Sequence, residues 1–223
     1  EKFITIPNGF DRDDLSEIPL ESRPLLGQDD VFNVVYTGSL GGLRTPKYFL
    51  EAVHELITNR PELRSRLKVT FVGRYGLFSD GKSLDDYIET FGLEDIVQDA
   101  GFVSRERSLI YQRQADLLLL LVGLVPAQEA QCYGLSAKVF DYTLAGKPVL
   151  AIAEEGATAQ YVRETGIGEV ISHTDKAGMV DALERALSGD FFYDPHQPAI
   201  DQYDYAVLMR KLESFLLDVI ENA

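Results

Sequence analysis

The sequence predicts an α/β fold built on a doubly wound parallel sheet, on the basis of three observations. Between residues 31 and 190, segments typical of strands alternate with segments typical of helices. The strand segments are apolar at successive positions instead of at every second position, as residues 117–122 of the segment 116–122 show. Glycine, proline, serine and threonine mark the boundaries between segments. Strands that are buried on both faces and connected by helices are the pattern of a Rossmann-like sheet covered by helices on both sides.

The predicted strands and helices follow one another in regular order. The strands are expected at residues 31–37, 68–72, 97–103, 116–122, 148–153 and 168–172. The helices are expected at residues 45–59, 84–91, 105–114, 137–145, 158–165 and 176–187. Thr45 and Pro46 suit the N-cap and the first position of a helix, and Gly166 suits a helix end. Each strand is thus followed by a helix, as parallel strands require.

The two ends of the chain differ from this pattern. Residues 1–30 are predicted to be a connector between domains that contains one short strand at residues 3–7. Residues 191–223 are predicted to be a loop and an amphipathic helix at residues 202–220, which must dock on this domain or on another. Because the chain starts at Glu1, without methionine or a leader, we expect it to be a piece of a longer protein.

Composition limits the classes of function. The formal net charge of -15 argues against a surface that binds nucleic acid or anionic membranes broadly, so any anion site must be local. The single cysteine, Cys132, excludes an internal disulfide, and His54, His173 and His196 are too scattered to suggest a metal site. The most apolar run, residues 115–125, is interrupted by Asp116 and Gly123 and is too short to span a bilayer. We expect a cytoplasmic protein without a transmembrane segment.

The segment 133–151 is the most informative part of the chain. Ser136 is a natural N-cap for the helix that carries Lys138 and Asp141. A cation in the first turn opposes the helix dipole and costs a few tenths of a kcal/mol unless an anion shares the site. A phosphate would remove this conflict, because free N–H groups and Lys138 would hold it together. The alternative is that Lys138 pairs with Asp141 on a solvated face, and the segment alone favours neither.

The loop after the first strand offers a second basic residue at a helix N-terminus. Gly38, Gly41 and Gly42 let the backbone approach a ligand, and Arg44 directly precedes the helix at Thr45. Ligands of open parallel sheets bind at the carboxyl ends of the strands. Two helices that each follow a strand and carry a basic residue at the N-terminus, Arg44 or Lys138, suggest that both bind one anion of pyrophosphate size. The alternative is that the two adjacent glycines form only a turn and that Arg44 is solvated.

Other motifs, by their presence or absence, restrict the classes of ligand that the chain is expected to bind. The chain has neither a G-x-G-x-x-G after the first strand nor a G-x-x-x-x-G-K-[ST], which disfavours dehydrogenases and P-loop NTPases. Asp141 is placed to accept hydrogen bonds from ribose hydroxyls, or is an ordinary exposed acid. Asp11 and Asp13 belong to a D-x-D cluster that suits a divalent cation, but a solvated loop or helix start is favoured because the cluster precedes the sheet. Glu129 would face a substrate or lie at the rim.

Short motifs occur in order over nearly the whole chain. They are I-P-N-G at residues 6–9, Y-T-G-S-L at 36–40, R-T-P-K-Y-F-L-E-A at 44–52, F-V-G at 71–73, A-G-F-V at 100–103, S-A-K-V-F-D-Y at 136–142 and A-G-K-P-V-L-A at 145–151. In this order and spacing the chain resembles the C-terminal, donor-binding half of a GT-B-fold glycosyltransferase, similar to family 4, the group 1 glycosyltransferases. The resemblance implies that residues 31–190 bind a nucleotide-sugar donor for transfer of the sugar to a hydroxyl acceptor.

The resemblance also implies a role for individual residues. The diphosphate would contact Gly38, Ser39, Gly41, Gly42, Arg44, Ser136, Ala137 and Lys138. The ribose would contact Asp141, and the base would lie against Gly73, Arg74, Phe102 and Val103, near Gly101. Glu129, Tyr133 and Gly134 are candidates to face the sugar. No catalytic residue is predicted, and neither a metal nor a cofactor is expected to be held by the protein.

The family typically serves polysaccharide biosynthesis and usually retains configuration at the sugar carbon. The resemblance implies that the acceptor site lies in an N-terminal domain, which we expect to be missing from this piece, so the piece alone is expected to bind nucleotide and catalyse nothing. Any contact with the inner face of a membrane would come from that missing domain.

Two residues depart from the family pattern. Ser39 replaces a frequent arginine, and Tyr133 stands at the first glutamate of the E-x7-E motif. The S-A-K segment resembles the branch of the family with a "psK" motif, which implies a rearranged site. A nucleotide-sugar epimerase of the same fold and a degenerate, non-catalytic interaction module are the alternatives.

Overall fold

The computed structural model describes residues 3–13, 24–26, 30–123 and 134–221. The strands are β1 (Phe32–Thr37), β2 (Leu40–Gly42), β3 (Leu67–Val72), β4 (Tyr75–Phe78), β5 (Val97–Asp99), β6 (Leu117–Leu121), β7 (Val149–Ile152) and β8 (Gly168–Ile171). The helices are α1 (Lys47–Asn59), α2 (Leu84–Phe91), α3 (Arg105–Gln114), α4 (Lys138–Ala145), α5 (Ala157–Thr165), α6 (Lys176–Ser188), α7 (Gln197–Asp201) and α8 (Tyr205–Glu221). The six predicted strands and six predicted helices between residues 31 and 190 are therefore confirmed, although β5 is shorter than expected.

Six strands form one sheet in which every pairing is parallel. Their order is β5-β3-β1-β6-β7-β8, so the chain winds outward from β1 in one direction and then outward from β6 in the other. This is the predicted doubly wound sheet. The winding reverses between β1 and β6, and the carboxyl ends of these two strands form the switch point at which ligands of such sheets bind.

Alternate residues of the central strands enter two separate cores. Val34 and Leu119 belong to the apolar cluster on the face covered by α1, α2 and α6. Val35 and Leu118 belong to the cluster on the opposite face, covered by α3, α4 and α5. Both faces are buried, which explains why these strands are apolar at every position instead of alternating with polar residues.

A tyrosine hydroxyl bridges β1 and β6 where they separate. The two strands pair only at Val34 with Leu117 and at Val35 with Leu118. Beyond these pairs, the buried Tyr142 hydroxyl of α4 accepts a hydrogen bond from the Thr37 N–H at 3.0 Å and donates one to the Leu119 carbonyl at 3.1 Å. The bridge pairs backbone groups that the diverging strands leave open, and it fixes α4 over the switch point.

The amino-terminal segment corrects one prediction. The short strand expected at residues 3–7 is not formed, and residues 3–9 have no regular secondary structure. Phe10 instead forms an isolated parallel bridge with Asp204, in which its N–H donates to the Tyr203 carbonyl and its carbonyl accepts from the Tyr205 N–H. The apolar side chains near Phe3 predicted a strand, but Phe3 is 87% exposed and has no core beneath it.

The predicted carboxyl-terminal helix is present as α8, and a short helix, α7, precedes it where only a loop was expected. Leu208 is the buried residue of α8, whereas Met209, Leu216 and Ile220 are each at least half exposed. The helix is thus anchored at its first turn. None of the helices in the described ranges is both long enough and apolar enough to cross a membrane.

We expect Tyr142→Phe to lower the free energy of unfolding by about 1–3 kcal/mol, because it leaves the buried Thr37 N–H and Leu119 carbonyl without their partner. Urea unfolding measures this loss. Tyr161→Phe is the matched control: Tyr161 is equally buried, but its hydroxyl pairs at 2.9 Å with the Thr143 hydroxyl, which also bonds the Val139 carbonyl. The control should cost less than about 1 kcal/mol. Equal losses would show that the bridge has no special part in stability.

Candidate functional site

Three segments meet at the carboxyl end of β1. Gly38, directly after β1, and Gly73, directly after β3, both have positive φ, at 119° and 157°. A Cβ on Gly73 would overlap the Gly38 carbonyl, and a Cβ on Gly38 would overlap Cε of Lys138. Only glycine fits at position 73, where the Cβ would meet the backbone of Gly38, and at position 38 the positive φ favours glycine. The Lys138 side chain therefore reaches from α4 across the switch point to the end of β1.

The charge of Arg44 acts on the half-buried Lys138 side chain. The Lys138 ammonium lies 5.7 Å from the centroid of the Tyr36 ring. Burial and the positive charge of Arg44 lower the pKa of Lys138 to about 8, and the charge of Asp141 offsets only part of this effect. Within the described residues, the buried Nε of Arg44 has no hydrogen-bond partner. An anion between the two side chains would pair both of them.

These contacts decide two of the open alternatives. Lys138 is half-buried against Gly38, so it is not a solvated residue that merely pairs with Asp141 on an open helix face. Arg44 is half-buried as well, and its Nε is shielded from water. Both predicted cations thus lie at one place in the fold.

The start of α4 corrects a second prediction. Ser136 does not act as the N-cap: Ala137 occupies the cap position, and no side chain caps the helix. The Ser136 N–H donates instead to the Thr158 hydroxyl at 3.0 Å. The first helical residue is Lys138 itself, so the positive end of the helix dipole and the lysine charge point to the same crevice.

Asp141 lies one turn further along α4 and forms an ion pair. Nη2 of Arg105 lies 3.2 Å from Oδ1 of Asp141, and Nη1 lies 3.5 Å from Oδ2. Lys138, Asp141 and Arg105 line one cleft of about 270 Å³, together with Asn8, Asp11 and Tyr205. Asp141 is therefore not an ordinary exposed acid, because it belongs to the wall of a charged cleft.

The residues predicted to contact a base lie in the loops after β3 and β5, at the carboxyl ends of these strands. The Gly73 N–H donates to the Gly101 carbonyl at 2.9 Å, which joins the loops after β3 and β5. The Arg74 guanidinium lies 4.2 Å from the centroid of the Phe102 ring, and Phe102 is 68% exposed. Val103 is half-buried beside them. An exposed aromatic ring with a stacked guanidinium is a surface on which a planar base can stack.

Other predicted residues lie elsewhere. Gly41 and Gly42 are in β2, which pairs in parallel with β4 in a separate two-stranded sheet, and the Arg44 N–H donates to the Gly41 carbonyl at 3.1 Å, so the two glycines also belong to a turn that ends at Arg44. The Ser39 carbonyl accepts a hydrogen bond from the Tyr36 hydroxyl at 2.9 Å. Gly134 is exposed, whereas Glu129 and Tyr133 lie outside the described residues.

The D-x-D cluster behaves as a local turn in its described part. Oδ1 of Asp11 accepts the Asp13 N–H at 2.9 Å, and Asp14 lies outside the described residues. Over the part of the chain that the structure describes, no group of three or more His, Cys, Asp or Glu side chains could hold a metal ion.

Sequence reasoning missed Arg105. It stands at the first position of α3, where a cation opposes the helix dipole, just as Lys138 does in α4. The sequence therefore contains a local signal for Arg105. It does not indicate the partner of Arg105, because Asp141 lies 36 residues away in the sequence.

Comparison with known proteins identifies the family. The sequence model described as "Glycosyl transferases group 1" matches residues 19–206. A D-inositol 3-phosphate glycosyltransferase of Nocardioides sp. is 32% identical over 184 residues, which are 78% of this chain and 38% of that protein. A protein of the same name from Streptomyces scabiei is 31% identical over 183 residues, 80% of this chain and 37% of that protein. The chain thus spans well under half the length of the curated relatives that it matches.

Solved structures share the fold. The apo form of the lipopolysaccharide outer core galactosyltransferase WaaB superposes with a TM-score of 0.67 at 15% identity, over 96% of this chain and 55% of that one. Anabaena HepE in complex with UDP superposes with a TM-score of 0.56 at 17% identity, over 85% of this chain and 49% of that one. These likenesses show the GT-B type of Rossmann-like fold, and the match of the sequence model over most of the chain shows that it belongs to the glycosyl transferases of group 1.

Proposed function

We propose that this chain binds the nucleoside diphosphate of a sugar donor at the switch point, as the donor half of a glycosyltransferase. The observation that carries the proposal is the pair of cations Arg44 and Lys138: the charge of Arg44 acts on Lys138, and the Arg44 Nε is buried and unpartnered among the described residues. In a chain of net charge -15, two neighbouring cations whose charge Asp141 offsets only in part are costly unless an anion binds there. The UDP in the solved HepE complex supports a nucleotide ligand.

The arrangement of the predicted residues suits one orientation of the ligand. The diphosphate would lie between Gly38, Arg44 and Lys138, at the N-terminus of α4. The ribose would lie toward Asp141 in the cleft. The base would stack near Phe102, and the sugar would point toward the segment that follows β6. A single extended ligand would thereby contact the ends of β1, β3, β5 and β6.

The chemistry needs stabilisation of the leaving group. When the bond between the sugar carbon and the diphosphate oxygen breaks, negative charge develops on the departing diphosphate. Arg44, Lys138 and the N-terminus of α4 would stabilise that charge by several kcal/mol if water is excluded. The incoming hydroxyl would be held by an acceptor domain outside this chain, so we expect the chain alone to bind nucleotide without transferring sugar.

No observation favours the two alternatives. The relatives that we compare are named glycosyltransferases, which gives the epimerase no support. Two half-buried cations at one crevice oppose the reading of a degenerate interaction module, because a module without a ligand gains nothing from them.

Calorimetric titration with UDP, GDP, ADP and dTDP tests the proposal. We expect saturable binding of at least one of them, with 1:1 stoichiometry, because each carries the diphosphate that the two cations would hold. Absence of binding to all four, in this chain and in the full-length protein, would contradict the proposal.

Lys138→Ala should weaken binding of the diphosphate by about 1–3 kcal/mol, since a charged hydrogen-bond partner is lost. The matched control is Lys147→Ala, which removes the same charge beyond the opposite end of α4. The control should leave the affinity within about twofold, since Lys147 is outside the crevice. Titration of both variants separates a local contact from the general effect of net charge, and equal effects would remove Lys138 from the site.

Nucleotide affinity should fall as the pH rises through about 8. The pKa of Lys138 in the free protein is lowered to about 8, and a bound diphosphate would raise it, so binding takes up a proton. Binding is therefore strongest below pH 8, where the ammonium is already charged, and weakens by up to about tenfold per pH unit above it. Affinities measured between about pH 6.5 and pH 9.5 test this dependence. Lys138→Ala should remove most of it, and an unchanged profile in that variant would refute the assignment.

A further inference from the structure

Tyr36 is the residue of β1 on which both cations of the candidate site act. Its exposed fraction is 0%, and it belongs to the core cluster on the face covered by α1, α2 and α6. The Lys138 ammonium lies 5.7 Å from the centroid of its ring, and the charge of Arg44 acts on its hydroxyl. The Tyr36 side chain thus belongs to the hydrophobic core and to the candidate anion site at the same time.

The backbone at the end of β1 determines where the Lys138 side chain lies. A Cβ on Gly38 would lie 2.3 Å from Cε and 2.9 Å from Nζ of Lys138. The end of the lysine side chain therefore lies against the backbone of Gly38, two residues after Tyr36 in the chain. A side chain at position 38 would displace the ammonium from this place.

The Tyr36 ring is held in one orientation. Its hydroxyl donates a hydrogen bond to the Ser39 carbonyl at 2.9 Å. Burial raises the pKa of this hydroxyl, so it stays protonated and able to donate. Phe71, the partner of Tyr36 in the pairing of β1 with β3, packs against the ring at a centroid distance of 5.9 Å. The ring cannot turn away from Lys138 without loss of a buried hydrogen bond.

The contact between ring and ammonium favours the charged form of the lysine. The face of an aromatic ring attracts a cation within about 6 Å of its centroid, and the attraction is larger where water is excluded. Lys138 is half-buried, and burial is the largest cause that lowers its pKa to about 8. The ring acts in the opposite direction, because it stabilises the ammonium and not the neutral amine.

Other charges act on Lys138 or lie near it, on several elements. Arg44, which precedes α1, lowers the pKa of Lys138, and Asp141 on α4 raises it. Asp11 and Arg105, on α3, line the same cleft as Lys138. A substitution of the ring leaves all of these charges in place, so its effect on Lys138 can be measured separately from theirs.

We propose that Tyr36 is a positioning residue of the anion site, whose ring holds the Lys138 ammonium charged and in place at the end of β1, where the diphosphate would bind. The effect on the ligand rests on the proposed function, whereas the contact between ring and ammonium exists in the protein without a ligand. Tyr36 acts on the diphosphate through Lys138 and contacts no reacting atom.

The contrary reading is that Tyr36 only fills the core and that its contact with Lys138 has no effect. On that reading, loss of the ring lowers the stability of the protein but leaves the titration of Lys138 unchanged. The pKa of Lys138 therefore separates the two readings, which a measurement of stability cannot do.

The experiment measures the pKa of Lys138 directly in the free protein, by NMR titration of isotope-labelled lysine Cε, with Lys138→Ala to identify the signal. We expect Tyr36→Leu to lower this pKa by about half a pH unit or more, because the attraction of the ring is lost. Tyr36→Phe keeps the ring and should keep the pKa within about 0.3 pH units of the wild-type value.

Phe71→Leu is the matched control. It removes an aromatic ring that is equally buried in the same core and that lies beside Tyr36 in the sheet. Because the Tyr36 ring remains, the pKa of Lys138 should stay within about 0.3 pH units of the wild-type value.

Fluorinated phenylalanine at position 36 tests the same point if Tyr36→Leu does not fold. Ring fluorines weaken the negative charge of the ring face while the shape of the ring is nearly kept. We expect the pKa of Lys138 to fall stepwise as the number of fluorines rises, with Tyr36→Phe as the reference without fluorine.

The outcomes separate the inference from the proposed function. An unchanged pKa of Lys138 in Tyr36→Leu and in the fluorinated proteins, or an equal fall in Phe71→Leu, would overturn the inference. In titrations with the best-binding diphosphate, the pH at which affinity begins to fall should decrease in Tyr36→Leu together with the pKa. An unchanged affinity profile despite a lowered pKa would also overturn it. If the wild type bound no nucleoside diphosphate, the proposed function itself would have failed, whereas the NMR titration would still decide whether the ring acts on Lys138.

Discussion

One hydroxyl group holds together the place where the sheet changes direction. In a doubly wound sheet the central strands separate at the switch point, which opens a crevice for a ligand but leaves backbone groups without partners. The Tyr142 hydroxyl accepts from Thr37 on one strand and donates to Leu119 on the other. Because Tyr142 lies one turn beyond Lys138, the same two bonds set the position of the helix that carries the candidate site. The two central strands can therefore separate and leave a crevice, while the Thr37 N–H and the Leu119 carbonyl keep a hydrogen-bond partner.

The crevice gathers positive charge in an acidic chain. Lys138 and Arg105 line the cleft and are the first residues of α4 and α3, and Arg44, which precedes α1, acts on Lys138 through its charge, in a sequence with 36 acidic and 21 basic residues. The repulsion between Arg44 and Lys138 and the dipole of α4 raise the free energy of the unliganded protein. The dianion proposed to bind here would offset this repulsion. Burial is the largest cause of the lowered pKa of Lys138, and the charge of Arg44 lowers it further.

Local patterns predicted the large elements well and the small ones poorly. The six main strands were recognisable because burial on both faces makes them apolar at every position. The strands β2 and β4 were missed, since three or four residues that include glycine carry no periodic signal. The strand expected at residues 3–7 was wrong because apolar residues form a strand only where a partner strand and a core are present. Ser136 is not the cap, because the helix begins one residue later than expected, with Ala137 at the cap position.

The sequence by itself determined the fold class and the presence of Arg44 and Lys138 at helix starts that follow strands, since burial pattern and helix charge are local properties. Only the tertiary structure decided that these two cations share one crevice, that Gly38 and Gly73 touch, and that Arg105 meets Asp141. The reason is that strand order brings residues together across large separations, as in the 105 residues between Thr37 and Tyr142. The order of strands depends on how whole faces pack, and no short segment of the chain contains that information.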